Sequence, residues 1–227
     1  MAGLIVVCGL RREAAILSGD DRTAICGNAS TLQERLSGLA GSKPRLVLSW
    51  GLCGGLDPRL RPGDLVVGSG AVSVRERVPA DEGVASLLTR RLAEAGARVS
   101  LERFAGTPAP VLTAGDKAAL RRATGAAAVD MESLIAGRFA REQEAPFAIL
   151  RAVADPAERN LPPLVMDAID PQGRLDSRAV LASLLRAPTQ LLRLGPVARD
   201  SRAAFSALER CRRLLPGLFL GLGLADL

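Results

Sequence analysis

Short apolar runs alternate with amphipathic stretches along most of the chain. Leu4 to Cys8 (LIVVC), Arg45 to Ser49 (RLVLS) and Phe147 to Val153 (FAILRAV) are nearly continuous hydrophobic runs, the pattern of strands buried on both faces. Asp64 to Gly68, entered through the Pro62–Gly63 turn, predicts a further strand. Thr23 to Cys26, Val99 to Phe104, Val111 to Thr113 and Ala126 to Val129 predict shorter ones. Helical spacing falls between them, over Arg11 to Leu17, Ser30 to Leu39 with Ser30 as N-cap, Val84 to Ala95, Lys117 to Ala123 and Met131 to Glu142. Strand Arg45 to Ser49 is expected to end in a loop, Gly51-Leu52-Cys53-Gly54-Gly55.

This alternation through about residue 155 predicts an α/β fold, a three-layer αβα sandwich on a mixed, mostly parallel sheet. The pattern changes after Asn160-Leu161-Pro162-Pro163. Arg178 to Leu194 and Ala198 to Leu215 then read as helices with an apolar stripe and an Arg-rich face. The expected organisation is an α/β domain over 1–160 and an Arg-rich helical C-terminal extension over 161–227 packing on that same domain.

Composition narrows the chemistry. The 227 residues include no His, which removes Ser-His-Asp and Cys-His catalysis and most zinc sites. No metal site is expected. With no Tyr, one Trp and five Phe, a stacking platform for single-stranded nucleic acid is not expected either. The four cysteines form no C-x-x-C pair and read as free thiols of a reducing compartment. No run is long enough to span a membrane, and Met1 to Val7 reads as a strand, not a signal peptide, so a cytoplasmic location is expected. The net charge of +6 is concentrated: residues 174 to 213 carry nine Arg against Asp176, Asp200 and Glu209.

Three segments, in order, carry a resemblance. They are Gly9-Leu10-Arg11-Arg12-Glu13-Ala14 after the first strand, Gly51-Leu52-Cys53-Gly54-Gly55-Leu56 with Leu60-Arg61-Pro62-Gly63-Asp64-Leu65-Val66-Val67, and Val129-Asp130-Met131-Glu132-Ser133 with Pro146-Phe147-Ala148-Ile149-Leu150-Arg151-Ala152-Val153-Ala154-Asp155. Together they resemble the nucleoside phosphorylase and nucleosidase superfamily over roughly residues 3 to 160. Members of that superfamily cleave the N-glycosidic bond of nucleosides with phosphate or water. The reaction builds positive charge on the ribose and negative charge on the departing base, and the enzyme must favour that distribution.

The resemblance implies roles residue by residue. Asp155 becomes the general acid that protonates the base. Glu132 holds the ribose hydroxyls, with Met131 against the sugar, and Glu13 positions the nucleophile. Gly51, Leu52, Gly54, Gly55 and Phe147 become substrate-binding residues, the glycines through backbone amides. Plainer structural readings exist: Asp155 as a turn residue, Glu132 as a first-turn acid, Glu13 as an exposed helix residue and Asp130 as a helix cap. Two departures stand out. Ala154 replaces a Ser that orients the acid in many members, and Leu52 replaces a Ser that can meet phosphate. Arg11 and Arg12 beside Glu13 leave both nucleophiles open, with phosphate as a possible co-substrate and no other cofactor.

The C-terminal segment resembles the hopanoid-associated branch of the superfamily, which implies adenosylhopane as substrate and release of adenine by phosphorolysis, or else by hydrolysis. A nucleosidase for methylthioadenosine or S-adenosylhomocysteine is the first alternative, and a non-catalytic nucleoside-binding or membrane-docking protein the second. A lipid-linked substrate accounts for Leu52, for the apolar Leu214 to Leu224 and for a basic stripe able to touch the inner face of a membrane. Homo-oligomerisation is a family expectation, and no nucleic-acid partner is expected.

Overall fold

A computed structural model describes residues 3–17, 22–163, 170–174 and 191–215 of the chain. β1 (Leu4–Cys8), buried at all five positions, pairs in parallel with β2 (Arg22–Cys26) on one side and β3 (Leu46–Gly55) on the other. β3 runs parallel to β8 (Phe147–Asp155), and β8 runs antiparallel to β4 (Leu65–Val72). β4 pairs in parallel with β6 (Val99–Gly106) and antiparallel with the edge strand β5 (Arg77–Pro79). β6 pairs with β7 (Ala128–Asp130), which returns antiparallel to Gly54 and Gly55 of β3. Strands β3, β8, β4, β6 and β7 therefore close into a ring, and β1 and β2 extend from it as an open wing. The sheet is mixed, as expected, and closure is its added feature. The register shifts between Cys53 and Gly54 and between Gly68 and Gly70 supply the local bend that closure requires.

Helices cover two faces. On one, α1 (Arg11–Ile16), α3 (Glu82–Glu94) and α6 (Leu191–Leu214) pack over Leu4, Val6, Leu48, Trp50 and Leu150. On the other, α2 (Ala29–Ser37) and α5 (Ser133–Glu142) pack over Ile5, Val7, Val47 and Ile149. The alternation along β1 is the period-two rule of a strand with two buried faces. α4 (Ala114–Thr124) leans on β6 near the mouth of the ring. Local chemistry starts these helices: Asn28 accepts from Thr31 N at 3.0 Å, Asp81 from Val84 N at 2.9 Å and Thr113 from Asp116 N at 3.1 Å.

α6 buries Ala204, Phe205, Leu208 and Cys211, and Leu215 just beyond its end, in the same core as β8. Each of the large side chains contributes about 1.5–3 kcal/mol relative to exposure, so this helix belongs to the folded unit. The opposite face shows Arg199, Arg202, Arg210, Arg212 and Arg213 to solvent. No helix among the described residues is long and apolar enough to cross a membrane.

Several local expectations change. Gly51 to Gly55 is the second half of β3, not a loop, because β8 and β7 take up its two edges. Val111 to Thr113 forms no strand; Thr113 caps α4 instead. Asn28, not Ser30, caps α2. β5 carries no signal in the pattern, being three residues ending in Pro79. Most of Arg178 to Leu194, and the apolar run beyond Leu215, lie outside the described residues.

Candidate active site

The C-terminal ends of β1, β3 and β8 meet β7 at one mouth of the ring, and there they surround a cleft of about 410 Å³. Its wall includes Gly9, Leu10, Glu13, Leu52, Gly54, Met131, Glu132, Arg151 and Asp155. The apolar remainder comes from Pro110, Val111, Val129, Leu161 and Pro171.

Glu13 is the third residue of α1 and is only 2% exposed. Its Oε2 accepts from Gly9 N at 3.0 Å and Leu10 N at 2.8 Å, capping the helix that it belongs to. Its Oε1 accepts from Leu52 N at 2.8 Å, which leaves a lone pair of Oε1 for a further donor. Gly51 makes this approach possible: a Cβ there would stand 2.5 Å from the Glu13 carboxyl carbon, and its φ of +144° disfavours side chains in any case. Burial pushes the Glu13 carboxyl up, and Arg151 with the three amides partly restrains it.

Glu132 sits between β7 and α5. Its Oε2 meets the Arg151 guanidinium at 2.9 Å, while Oε1 lies beside Gly9, where a Cβ would approach it to 2.6 Å. Burial, with help from Asp130 and Glu13 and against the pull of Arg151, pushes Glu132 up to about 7. Arg151 organises these acids. It is 1% exposed, contacts Asp130 Oδ2 at 2.6 Å, and donates to Ser49 Oγ at 2.8 Å and to Leu52 O at 2.8 Å. Ser133 closes the network through Asp130 and, at 2.9 Å, through Ser49.

Asp155 ends β8 on the cleft's other side and is held by the buried Lys117 of α4. Burial raises its carboxyl above the usual range, and Lys117 then Arg159 pull it back.

Of the residues singled out from sequence, Glu13, Glu132, Asp155, Met131, Leu52 and Gly54 line this one cleft. Gly51 lies behind Glu13, and Gly55 is buried in the ladder to β7. Phe147 is a correction: it begins β8 at the far end of the strand and packs beneath Gly137 in the core, 4% exposed. Arg11 and Arg12 do not line the cleft either. Both are exposed; Arg11 reaches Gln172 O at 3.4 Å and Arg12 stacks on the Phe205 ring at 4.0 Å.

Two residues carry more than the sequence reading assigned them. Arg151 interrupts an otherwise apolar strand, and a buried arginine needs buried acids. Lys117 is one of two lysines among thirty basic residues.

Chemically, the cleft offers three carboxyl groups held above their ordinary protonation range, a greasy wall and, among the described residues, no unengaged cation. Among the described residues, Glu13, Asp130, Glu132, Asp155 and Asp170 line it against Arg151 alone, whose nitrogens already serve Asp130, Glu132, Ser49 and Leu52.

A family profile described as the phosphorylase superfamily matches residues 14–186. A search of curated protein sequences finds no match. Among solved structures, the fold is similar to Helicobacter pylori futalosine hydrolase, at 14% identity and a TM-score of 0.63, covering 93% of this chain and 97% of that one. It is similar to the 5′-methylthioadenosine/S-adenosylhomocysteine nucleosidase of the same organism at 12% identity and a TM-score of 0.64, covering 93% and 97%. The corresponding Neisseria meningitidis nucleosidase gives 16% identity and a TM-score of 0.61, covering 93% and 99%. Identities this low speak for the fold, while the profile spans most of the chain, and the chain therefore belongs to the phosphorylase superfamily.

Proposed function

We propose that this protein cleaves the N-glycosidic bond of an adenine nucleoside with an apolar 5′ substituent, and that water is the nucleophile. One observation carries the reading: Glu13, Glu132 and Asp155 converge on one cleft whose sole lining cation among the described residues is fully engaged. The C1′–N bond breaks with its electron pair leaving on the base, and the Asp155 carboxyl proton passes to a ring nitrogen of that base. Water oxygen bonds to C1′ and gives its proton to Glu13. Glu132, beside Gly9, accepts from the ribose hydroxyls, and its negative charge gains in value as the sugar becomes cationic. Burial of Glu13 and Asp155 suits a base and an acid working near neutrality.

Phosphorolysis fits less well. A phosphate charge about 4 Å from each carboxylate meets a repulsion on the order of 4 kcal/mol at an effective dielectric near 20. Arg11 and Arg12, the cations that kept phosphate in play, do not line the cleft: Arg11 reaches Gln172 O and Arg12 lies on the Phe205 ring. The resemblance of the C-terminal segment makes adenosylhopane the first substrate to test, and Leu52, Val111 and Leu161 in the cleft support a greasy substituent. The outward arginines of α6 support contact with an anionic lipid surface during access to such a substrate. Similarity to the methylthioadenosine nucleosidases supports thioadenosines as the second substrates to test. The test is chromatographic detection of free adenine from each nucleoside, with and without phosphate. Release that depends on phosphate overturns the choice of water, and no release from any adenine nucleoside overturns the reading.

A further inference from the structure

Lys117 has no place in the reaction written above, yet it grips one of that reaction's residues. It stands in the first turn of α4, is 1% exposed, and its ammonium faces Asp155 Oδ2, Pro156 O at 2.9 Å and Arg159 O at 3.1 Å. Three N–H donors meet three acceptors, the full sphere of a charged lysine. A planar guanidinium fork does not reproduce that tripod, which gives a reason for lysine in a chain that otherwise uses arginine at 28 of 30 basic positions. Burying such a cation is unfavourable unless a partner offsets the lost hydration, and Asp155 is the partner.

We infer that Lys117 is the positioning residue of the acid: its ammonium ties down Asp155 Oδ2 and the 156–159 backbone, so that the carboxyl as a whole is held against Gly54 at the cleft wall. The inference rests on the acid role of Asp155 proposed above. It also accounts for Ala154, which has no hydroxyl with which to orient that carboxyl. The second strut is Asn160, whose Oδ1 accepts from Ala114 N at 2.8 Å and ties the same segment to the start of α4.

The pairing also sets the acid's working range. The charged groups around Asp155 are Lys117 from α4, Arg159 from the loop after β8 and Asp200 from α6, with the Cys53 thiol on β3. Burial raises Asp155, Lys117 leads the opposing effects, and Arg159 is itself paired with Asp200 at 2.8 Å. Without Lys117 the carboxyl rises further and gives up its proton less readily.

The test compares the wild type with Lys117→Met, Lys117→Arg and Asp155→Asn on two substrates: an adenine nucleoside, and 4-nitrophenyl riboside, whose phenolate leaves without a proton. For Lys117→Met we expect kcat on the nucleoside to fall by on the order of tenfold to a hundredfold, with KM little changed. The alkaline limb of its kcat/KM profile moves to higher pH, and its rate on the nitrophenyl riboside stays within about twofold of wild type. Lys117→Arg keeps the cation without the tripod, so its alkaline limb stays near the wild-type position while its kcat on the nucleoside falls. Equal losses on both substrates, or a limb that does not move, overturn the inference. The intact protein gives an independent reading, because Lys43 and Lys117 are its only lysines. In ¹⁵N-lysine NMR the Lys117 Nζ signal shifts with the midpoint of the alkaline limb. A signal that stays fixed through that midpoint overturns the inference even if the Met variant does not fold. Asp155→Asn retaining nucleoside cleavage instead overturns the acid assignment itself.

Discussion

Glu132→Gln separates the demands of catalysis from those of stability, with opposite signs. Glu132 is 6% exposed and is pushed from 4.5 to about 7 by burial. Below about pH 4.5 the carboxyl is protonated in the folded and unfolded chains alike, and it contributes nothing to the pH dependence. Between about 4.5 and 7 the folded chain holds a proton that the unfolded chain has released, so stability falls as pH rises. Above about 7 both are ionised and the whole cost is present. At about 1.36 kcal/mol for each pH unit of that window, rounded off at its two ends, wild type loses on the order of 2–3 kcal/mol between pH 5 and pH 8 through this one group. Glutamine carries no such dependence. The pull of Arg151 is already contained in that value of about 7, and whatever separates glutamine from the protonated acid is the same at both pH values and cancels in the comparison. Urea unfolding at pH 5 and pH 8 therefore shows the variant gaining on wild type by on the order of 2–3 kcal/mol across the interval. The same substitution weakens the grip on the ribose, and kcat/KM falls by about a hundredfold or more, within the usual cost of a transition-state hydrogen bond to a charged group. An identical stability difference at the two pH values refutes the claim that burial holds this carboxyl high.

Three further outcomes follow from the same geometry. Gly51→Ala puts a methyl 2.5 Å from the Glu13 carboxyl carbon at a φ of +144°; melting and kinetics together should show a loss of about 2–4 kcal/mol and a collapse of activity. Arg151→Met strips the counter-charge from Asp130 and Glu132 and destabilises by about 3–5 kcal/mol at pH 8. That loss shrinks near pH 5, where Glu132 is protonated, and a loss independent of pH contradicts the network drawn here. Arg12→Ala removes the stack on Phe205 and about 0.5–1 kcal/mol of stability, with steady-state rates unchanged in the presence or absence of phosphate.

What could be read from sequence follows from the range of the interactions involved. β1 and β8 are runs whose neighbours in sequence all need burial, and the pattern alone marks them. Closure of the sheet depends on β7 reaching Gly54 and Gly55 from more than seventy residues away, and no local pattern carries that pairing. Glycines in that stretch therefore resemble a loop in sequence, whereas they let β3 bend between two partners and let Glu13 come close. Glu13, Glu132 and Asp155 are legible through their motifs. Phe147 is not, because a motif shows that residues travel together and leaves open which end of a strand faces the cleft. Lys117 lies in a polar turn about forty residues before Asp155, and only the folded chain brings its ammonium to that carboxyl. The exposed arginines of α6 form a pattern in the sequence itself, since an amphipathic helix separates its faces locally.

The most direct measurement is product analysis in ¹⁸O-labelled water, with adenosylhopane and then methylthioadenosine as substrates, in the presence and absence of phosphate. Hydrolysis gives free adenine at the same rate in both conditions, with one ¹⁸O at C1 of the released sugar. Adenine that appears only with phosphate, together with a sugar 1-phosphate, contradicts it.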